Sequence, residues 1–395
     1  MRYEWSIADD PLDALTVLDV RPGGVADARD QFFSRPFALT TDGPLRVLLL
    51  REPTRDRVLV SASHVATDGA GAVRFLRSID RAYRNEPDPV PAGDALVQRD
   101  LSRQLARSNP VDRLRRLAQS AALLRGAVDP PTRMASGGGQ PGPGYGLVVD
   151  RLGSDDTAAL IATAAGHGAT VNDLLICAMH LAVEAWNTEH QAPCGRISVM
   201  MPMDLRPTER RGEVLGNLSL MVPVTASADE RRSLATLRDS VMDQTRDAKT
   251  SGRAVALVEA MAIGSRLSIR ARRALHGAVS GSDRLTDTTV LSNLGRLADP
   301  PQLGREPSED SGVWFSPPCG MPNTSHAATS GFCAGSRTRA DRGQPSSGRP
   351  ADRGCLRGSN PRSARVAGET SPLHTASRSP VGNRRGATHN ISRCR

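Results

Sequence analysis

Lysine is almost missing from this sequence: Lys249 is the only one among 51 basic side chains in 395 residues. Aromatic residues are nearly as scarce, at 3%, and apolar residues reach 38%. The lysine bias is that of a GC-rich gene. Of 6 cysteines, Cys319, Cys333, Cys355 and Cys394 lie beyond residue 318, which leaves Cys177 and Cys194 in the body of the chain. Two isolated cysteines give no disulfide framework and no C-x-x-C metal spacing, and they fit a reducing cytoplasm. No apolar run approaches the roughly 18 residues of a membrane span. The opening "MRYEWSIADD" is acidic and has no apolar h-region, so no secretory signal is expected.

Charge is unevenly spread. Residues 319–395 carry 13 arginines against Asp341, Asp352 and Glu369, out of totals of 51 basic and 42 acidic residues. Residues 1–318 therefore hold 38 basic and 39 acidic side chains, a net charge of −1 beside +10 for the tail. A near-neutral body removes the composition argument for a nucleic-acid-binding domain. The tail has only a few scattered large apolar residues, so it cannot bury enough surface to offset its ordering entropy, and disorder is expected. Its Arg, Ser, Gly, Pro, Ala and Cys content fits either a basic tail or a shifted reading frame of a GC-rich gene.

Hydrophobic periodicity outlines the remainder. "PLRVLLLRE" (44–52) and "RVLVSAS" (57–63) read as a hairpin. Residues 69–84 read as a helix with Val73, Leu76, Ile79 and Tyr83 on its inner face. Residues 111–128 read as a basic amphipathic helix, packed with a solvated arginine face or lying on an anionic membrane. "SGGGQPGPGYG" (136–146) is a Pro/Gly-rich linker, and it precedes a strand ("YGLVVDRL") instead of opening a helix. That order excludes a phosphate loop or dinucleotide fingerprint. Beyond it come a helix over 155–166 capped by Ser154, and a mostly apolar, buried helix over 170–190. Strands "RISVMMPMDLRP" and "NLSLMVPVTA", helices over 230–248 and 253–280, and a strand over 286–295 follow. This order predicts an α+β fold in two lobes sharing a large sheet system. Residues 1–130 form the first lobe, 131–146 the linker, 147–318 the second lobe and 319–395 the tail.

One stretch carries chemistry. "LVSASHVATDGAGAVRFLRSI" (59–79) puts His64 where a strand stops, with Asp68 and Gly69 before a helix. Neutral imidazole accepts a proton near pH 7, and it does so best with its tautomer fixed in a dry site. Asp68 is expected to hold the turn by pairing with an arginine elsewhere, and Gly69 to permit its backbone conformation.

With "PFALTTDGPLRVLLL", "ATVNDLLICAMHLAV", "MPMDLRP", "GNLSLMVPV" and "VLSNLG" in this order, residues 3 to 318 resemble the acyltransferases with an HHxxxDG motif. These are nonribosomal-peptide condensation domains, polyketide-associated acyltransferases of actinobacteria, and wax ester synthase/diacylglycerol acyltransferases. The resemblance implies two chloramphenicol-acetyltransferase-like lobes with a central cleft or tunnel. It also implies His64 as catalytic base, with Asp68 and Gly69 structural at the active site. Ser63 stands where the family's first histidine is found. Asn172 and Asp173 match the "ND" at a helix start, where helix capping is the plainer role. Arg206 would face the tunnel or pair with a carboxylate. Asn217, Ser292 and Asn293 match elements near the tunnel, or serve as ordinary turns. Relative to the family the chain starts late, and its tail cannot supply the closing sheet and helix.

The function this implies is acyl transfer from a CoA or carrier-protein thioester to a lipid-like alcohol, without an acyl-enzyme. The alternatives are amide-forming condensation in nonribosomal peptide synthesis, or an inactive acyl-binding remnant of the same fold. No metal or cofactor is implied beyond the acyl-thioester donor. An acyl carrier protein is a candidate partner, nucleic acid is not, and membrane contact is at most peripheral.

Overall fold

The computed structural model describes residues 14–38, 40–89, 129–135, 150, 152–206, 215–250, 258, 264, 266–280, 287–297, 301, 303 and 313–316, all within the unit Met1–Thr338. The expected helix over 111–128, the linker from 136, most of the segment 251–268 and the tail 319–395 lie outside these residues.

The β-branched and leucine-rich runs of the N-terminal half build one three-stranded sheet. It contains β1 (Leu15–Asp19), β2 (Leu45–Arg51) and β3 (Asp56–Ala62), in that order. β1 runs parallel to β2, and β2 and β3 form the expected antiparallel hairpin, with Leu45 opposite Ala62 and Arg51 opposite Asp56. Alternation along β2 buries Leu48 and Leu50. Helix α1 (Val25–Ser34) joins β1 to β2 and buries no residue. Helix α2 (Gly69–Tyr83) follows β3 and buries Val73, Arg74 and Asp80. Tyr83, expected on the inner face, is instead 66% exposed. There the chain turns back through Asn85 at φ 61, which lets Asp88 pair with Arg74 and Arg81.

The second half starts with α3 (Ser154–Gly166) and α4 (Val171–Glu189). Then come β4 (Ile197–Asp204), β5 (Ser219–Ala226), α5 (Ala228–Arg231), α6 (Leu234–Thr250), α7 (Ile269–Ser280) and β6 (Thr289–Val290). The sheet order is β5-β4-β6, with β4 antiparallel to β5 and parallel to β6. On β5, Leu220, Val222, Val224 and Ala226 are buried, and the residues between them are half-buried. The core joins Ile176, Met179 and Val183 of α4, Ile197, Val199 and Met201 of β4, and Leu237 and Val241 of α6.

Several expectations need correction. Ser154 is not the cap of α3: Gly153 holds that position without a side-chain bond, and the Ser154 hydroxyl turns to Asp155 Oδ1 at 3.3 Å. The helix expected over 230–248 is broken at Arg232–Ser233, and it starts earlier, at the capping box in which Ser227 and Glu230 satisfy each other's backbone amides. The strand expected over 286–295 contributes only two ladder residues. It is extended by hydrogen bonds from Thr288 N to Ser198 O (3.0 Å) and from Leu291 N to Met200 O (2.9 Å).

The first residues of the expected linker are anchored. The buried Asn187 takes the Ala135 amide on Oδ1 and donates to Arg133 O, each at 2.8 Å, and Trp186 Nε1 donates to Ala135 O at 2.9 Å. Among the described residues no single helix is long and apolar enough to cross a membrane.

Candidate active site

The two sheets meet at the turn between β3 and α2. Residues 63–68 close on themselves: the Ser63 carbonyl accepts from the amides of Ala66 and Thr67, and the Ser63 amide donates to Pro44 O at 2.8 Å. Ser63 is buried by this turn. Asp68 then caps α2, its Oδ1 accepting from Gly71 N at 2.9 Å, as a short polar side chain before a helix does best.

The same carboxylate is gripped from the far end of β4. Arg206 Nη1 donates to Asp68 Oδ2 and Nη2 to Oδ1, both at 2.8 Å, a two-pronged pair with both side chains almost fully buried. Leu218 N adds a bond to Asp68 Oδ2 at 2.8 Å. Arg206 Nη2 also donates to Gly216 O at 2.6 Å, and Gly216 O accepts from the Asp68 amide at 3.3 Å. Burial opposes the Arg206 charge, but the hydrogen bonds and charge of Asp68, with those of Asp204, outweigh it and hold Arg206 above the ordinary arginine range. A buried pair satisfied on so many sides fixes geometry more than it adds stability. Of the two roles open to Arg206, the structure shows the carboxylate pair.

Gly69 has an ordinary backbone, so the turn does not use its conformational freedom, contrary to expectation. Its missing side chain matters for packing: a Cβ there would lie 2.9 Å from Leu294 Cδ2 and 3.9 Å from Phe315. Gly71, which the sequence reading passed over, is the tighter position. A Cβ would meet Thr67 Oγ1 at 2.1 Å and the Gly216 backbone at 3.2 and 3.3 Å. The spacing of two glycines in the first turn of α2 was the available signal.

His64 sits half-buried on this frame. Its Nδ1 is 3.1 Å from Thr67 O, and Asn217 Nδ2 donates to the His64 carbonyl at 2.8 Å. A backbone carbonyl can only accept, so Nδ1 carries the proton and Nε2 is left as the basic nitrogen. Nε2 makes no hydrogen bond among the described residues.

His64, Asp68, Gly69, Arg206 and Asn217 are thus brought together. Ser292 is buried, and Asn293 spends its Oδ1 on the Gly295 amide at 2.8 Å, closing a turn in which Gly295 has φ +66. From that segment it is Leu294 that reaches Gly69. Asn172 and Asp173 belong to the start of α4, where Asp173 shares a capping box with Thr170 and also accepts from Thr245 Oγ1 at 2.7 Å. Cys177 lies in the core, and burial, helped by the Asp173 charge, pushes its thiol up to about 11, the opposite of an activated nucleophile. Among the described residues no group of three or more His, Cys, Asp or Glu side chains is placed to hold a metal.

The overall fold matches that of condensation domains. The first condensation domain of the calcium-dependent antibiotic synthetase, solved with a substrate analogue, superposes with a TM-score of 0.53 at 16% identity, over 73% of this chain. A second structure of that domain gives 0.52 at 16% identity, over 77% of this chain and 67% of its own. The chain spans 64% of the first of these structures. No protein-family model matches.

In sequence the chain is 33% identical over 322 residues to the uncharacterized protein Rv2305 of Mycobacterium tuberculosis, covering 80% of this chain and 73% of the relative. The uncharacterized protein MT2362 of the same organism matches to the same extent. The chain belongs to the family of these mycobacterial proteins.

Proposed function

We propose that the protein transfers an acyl group from a thioester, carried by CoA or an acyl carrier protein, to the hydroxyl of a lipid-like acceptor. His64 Nε2 takes the acceptor proton as the oxygen attacks the thioester carbonyl. The tetrahedral intermediate collapses to the ester with release of the thiol, which regains the proton from the imidazolium. Donor and acceptor reach His64 from opposite faces of a cleft between the two sheets. Asp68 and Arg206 do not touch the substrates; they hold the turn that presents the imidazole.

The observation that carries this reading is the His64 ring itself, with Nδ1 committed to Thr67 O and Nε2 left without a protein partner among the described residues. The fold alone would not suffice, because folds host many chemistries. An amine acceptor, with formation of an amide, is a second reading, favoured by the likeness to condensation domains.

The test is thioester consumption with a panel of long-chain alcohols and amines. His64→Ala should lower transfer by about 10²–10⁴-fold, the usual worth of a general base, with donor binding little changed. Full activity in that variant would overturn the proposal. Binding of acyl thioester without turnover in the wild type would leave an acyl-binding protein. A preference for amines would select the second reading.

A further inference from the structure

Residues 216–218 join the two halves of the site. Gly216 O accepts from Arg206 and from the Asp68 amide, and Leu218 N donates to Asp68. Asn217 lies between them, and its side chain reaches from the approach to β5 back to the histidine turn, 153 residues earlier. The orientation of its amide follows from its neighbours. Ser219 donates to Asn217 Oδ1 from its backbone N at 3.3 Å and from its hydroxyl at 3.1 Å, so the oxygen faces Ser219 and the nitrogen faces His64.

Nδ2 then donates to the His64 carbonyl at 2.8 Å and lies 3.5 Å from the ring Nδ1. One of its two hydrogens is directed at that carbonyl, and the 3.5 Å approach to Nδ1 is longer than the 3.1 Å from Nδ1 to Thr67 O, which takes the Nδ1 proton. The backbone of residues 64–67 is therefore gripped at both ends, by Asn217 at His64 and by the Asp68–Arg206 pair after Thr67.

We propose, building on the acyl-transfer reading, that Asn217 is a positioning residue: its carboxamide clamps the His64–Thr67 turn and so keeps the imidazole in the Nδ1–H tautomer with Nε2 basic. Without the clamp the Thr67 carbonyl drifts from Nδ1, and the ring populates the Nε2–H tautomer, which cannot take the acceptor's proton. Substrate contacts are untouched, so the loss falls on kcat and not on the KM for thioester.

The experiment uses the full chain labelled with ¹⁵N-histidine, the His64 ring signals being those lost in His64→Gln. At alkaline pH the wild type should show a single Nδ1–H tautomer at His64. Asn217→Leu keeps the volume without donor or acceptor, and Asn217→Ala removes both. Each should give mixed tautomers and a kcat lower by about 10–100-fold, the scale of a misplaced catalytic group, at unchanged KM. Ser219→Ala, which removes the hydroxyl and leaves only the backbone amide to orient Oδ1, should shift the ring the same way by less, and it serves if the Asn217 variants do not fold.

A wild-type Nε2–H tautomer overturns the proposal. So does an unchanged His64 tautomer in folded Asn217 variants, whether kcat holds or falls along with thermal stability. Absence of any transfer by the wild type would sink the acyl-transfer reading instead, and the ring signals would still report whether Asn217 holds the tautomer.

Discussion

Two histidines occupy two very different regions of this molecule. His64 lies where the two sheets meet, half-buried, with its ring fixed by a backbone carbonyl and its turn held by an amide and a buried ion pair. His180 lies in the α4 core of the second sheet with no solvent exposure. Burial first, and the Arg231 charge second, push it down to about 4. The core ring is neutral because a charge there has no water around it. Such a group neither binds nor releases protons near pH 7. Burial alone therefore does not make a general base; the role proposed for His64 rests instead on a ring and turn held by polar residues from distant parts of the chain.

The comparison can be broken first at the ion pair. Arg206→Ala leaves the buried Asp68 carboxylate without its cation and should cost about 3–5 kcal/mol in chemical denaturation, with activity lost as well; Asp68→Ala, in which Arg206 keeps Asp204 at 3.0 Å, should cost less. Arg206→Lys should recover only part of this, since an ammonium cannot bond both carboxylate oxygens in the plane of a fork. A loss under 1 kcal/mol would mean that the junction is not what holds the turn.

His180 gives the next effect. Its value of about 4 in the fold lies below the roughly 6.5 of an unfolded histidine, so the unfolded chain binds the extra proton between these values. The stability it contributes is complete above about pH 6.5 and is lost as pH falls toward 4, by about 3 kcal/mol in total. Urea titrations across that range should show the loss, and His180→Leu should flatten it without changing acyl transfer.

The smallest effects separate the two glycines of α2. Gly71→Ala drives a methyl into Thr67, whose branched side chain cannot swing away, and should cost about 1–3 kcal/mol. Gly69→Ala presses mainly on the end of the flexible Leu294 side chain, with Phe315 at ordinary contact distance, so the change in melting temperature should be smaller than for Gly71→Ala.

The sequence displayed these regions unequally. The hairpin, α2 and α4 were legible because their apolar periods match buried faces, and His64, Asp68 and Gly69 stood out because they are close together in the chain. Arg206 was legible as one of two roles, but a bond across 138 residues leaves no local trace that tells which carboxylate it meets. β1 and α1 escaped notice because neither carries a strong burial pattern: Leu15, Val17 and Leu18 are exposed, and α1 buries nothing. The start of α5 was there to be read in Ser227-x-x-Glu230. Gly216 acquires its meaning only when two backbones touch.

The most direct test of the account is a paired measurement at pH 7 of acyl-thioester consumption with an alcohol acceptor, in His64→Ala and His180→Leu. The account predicts that His64→Ala folds and loses about 10²–10⁴-fold in rate, while His180→Leu keeps the wild-type rate. Equal rates in His64→Ala and wild type, or a loss confined to His180→Leu, would contradict it.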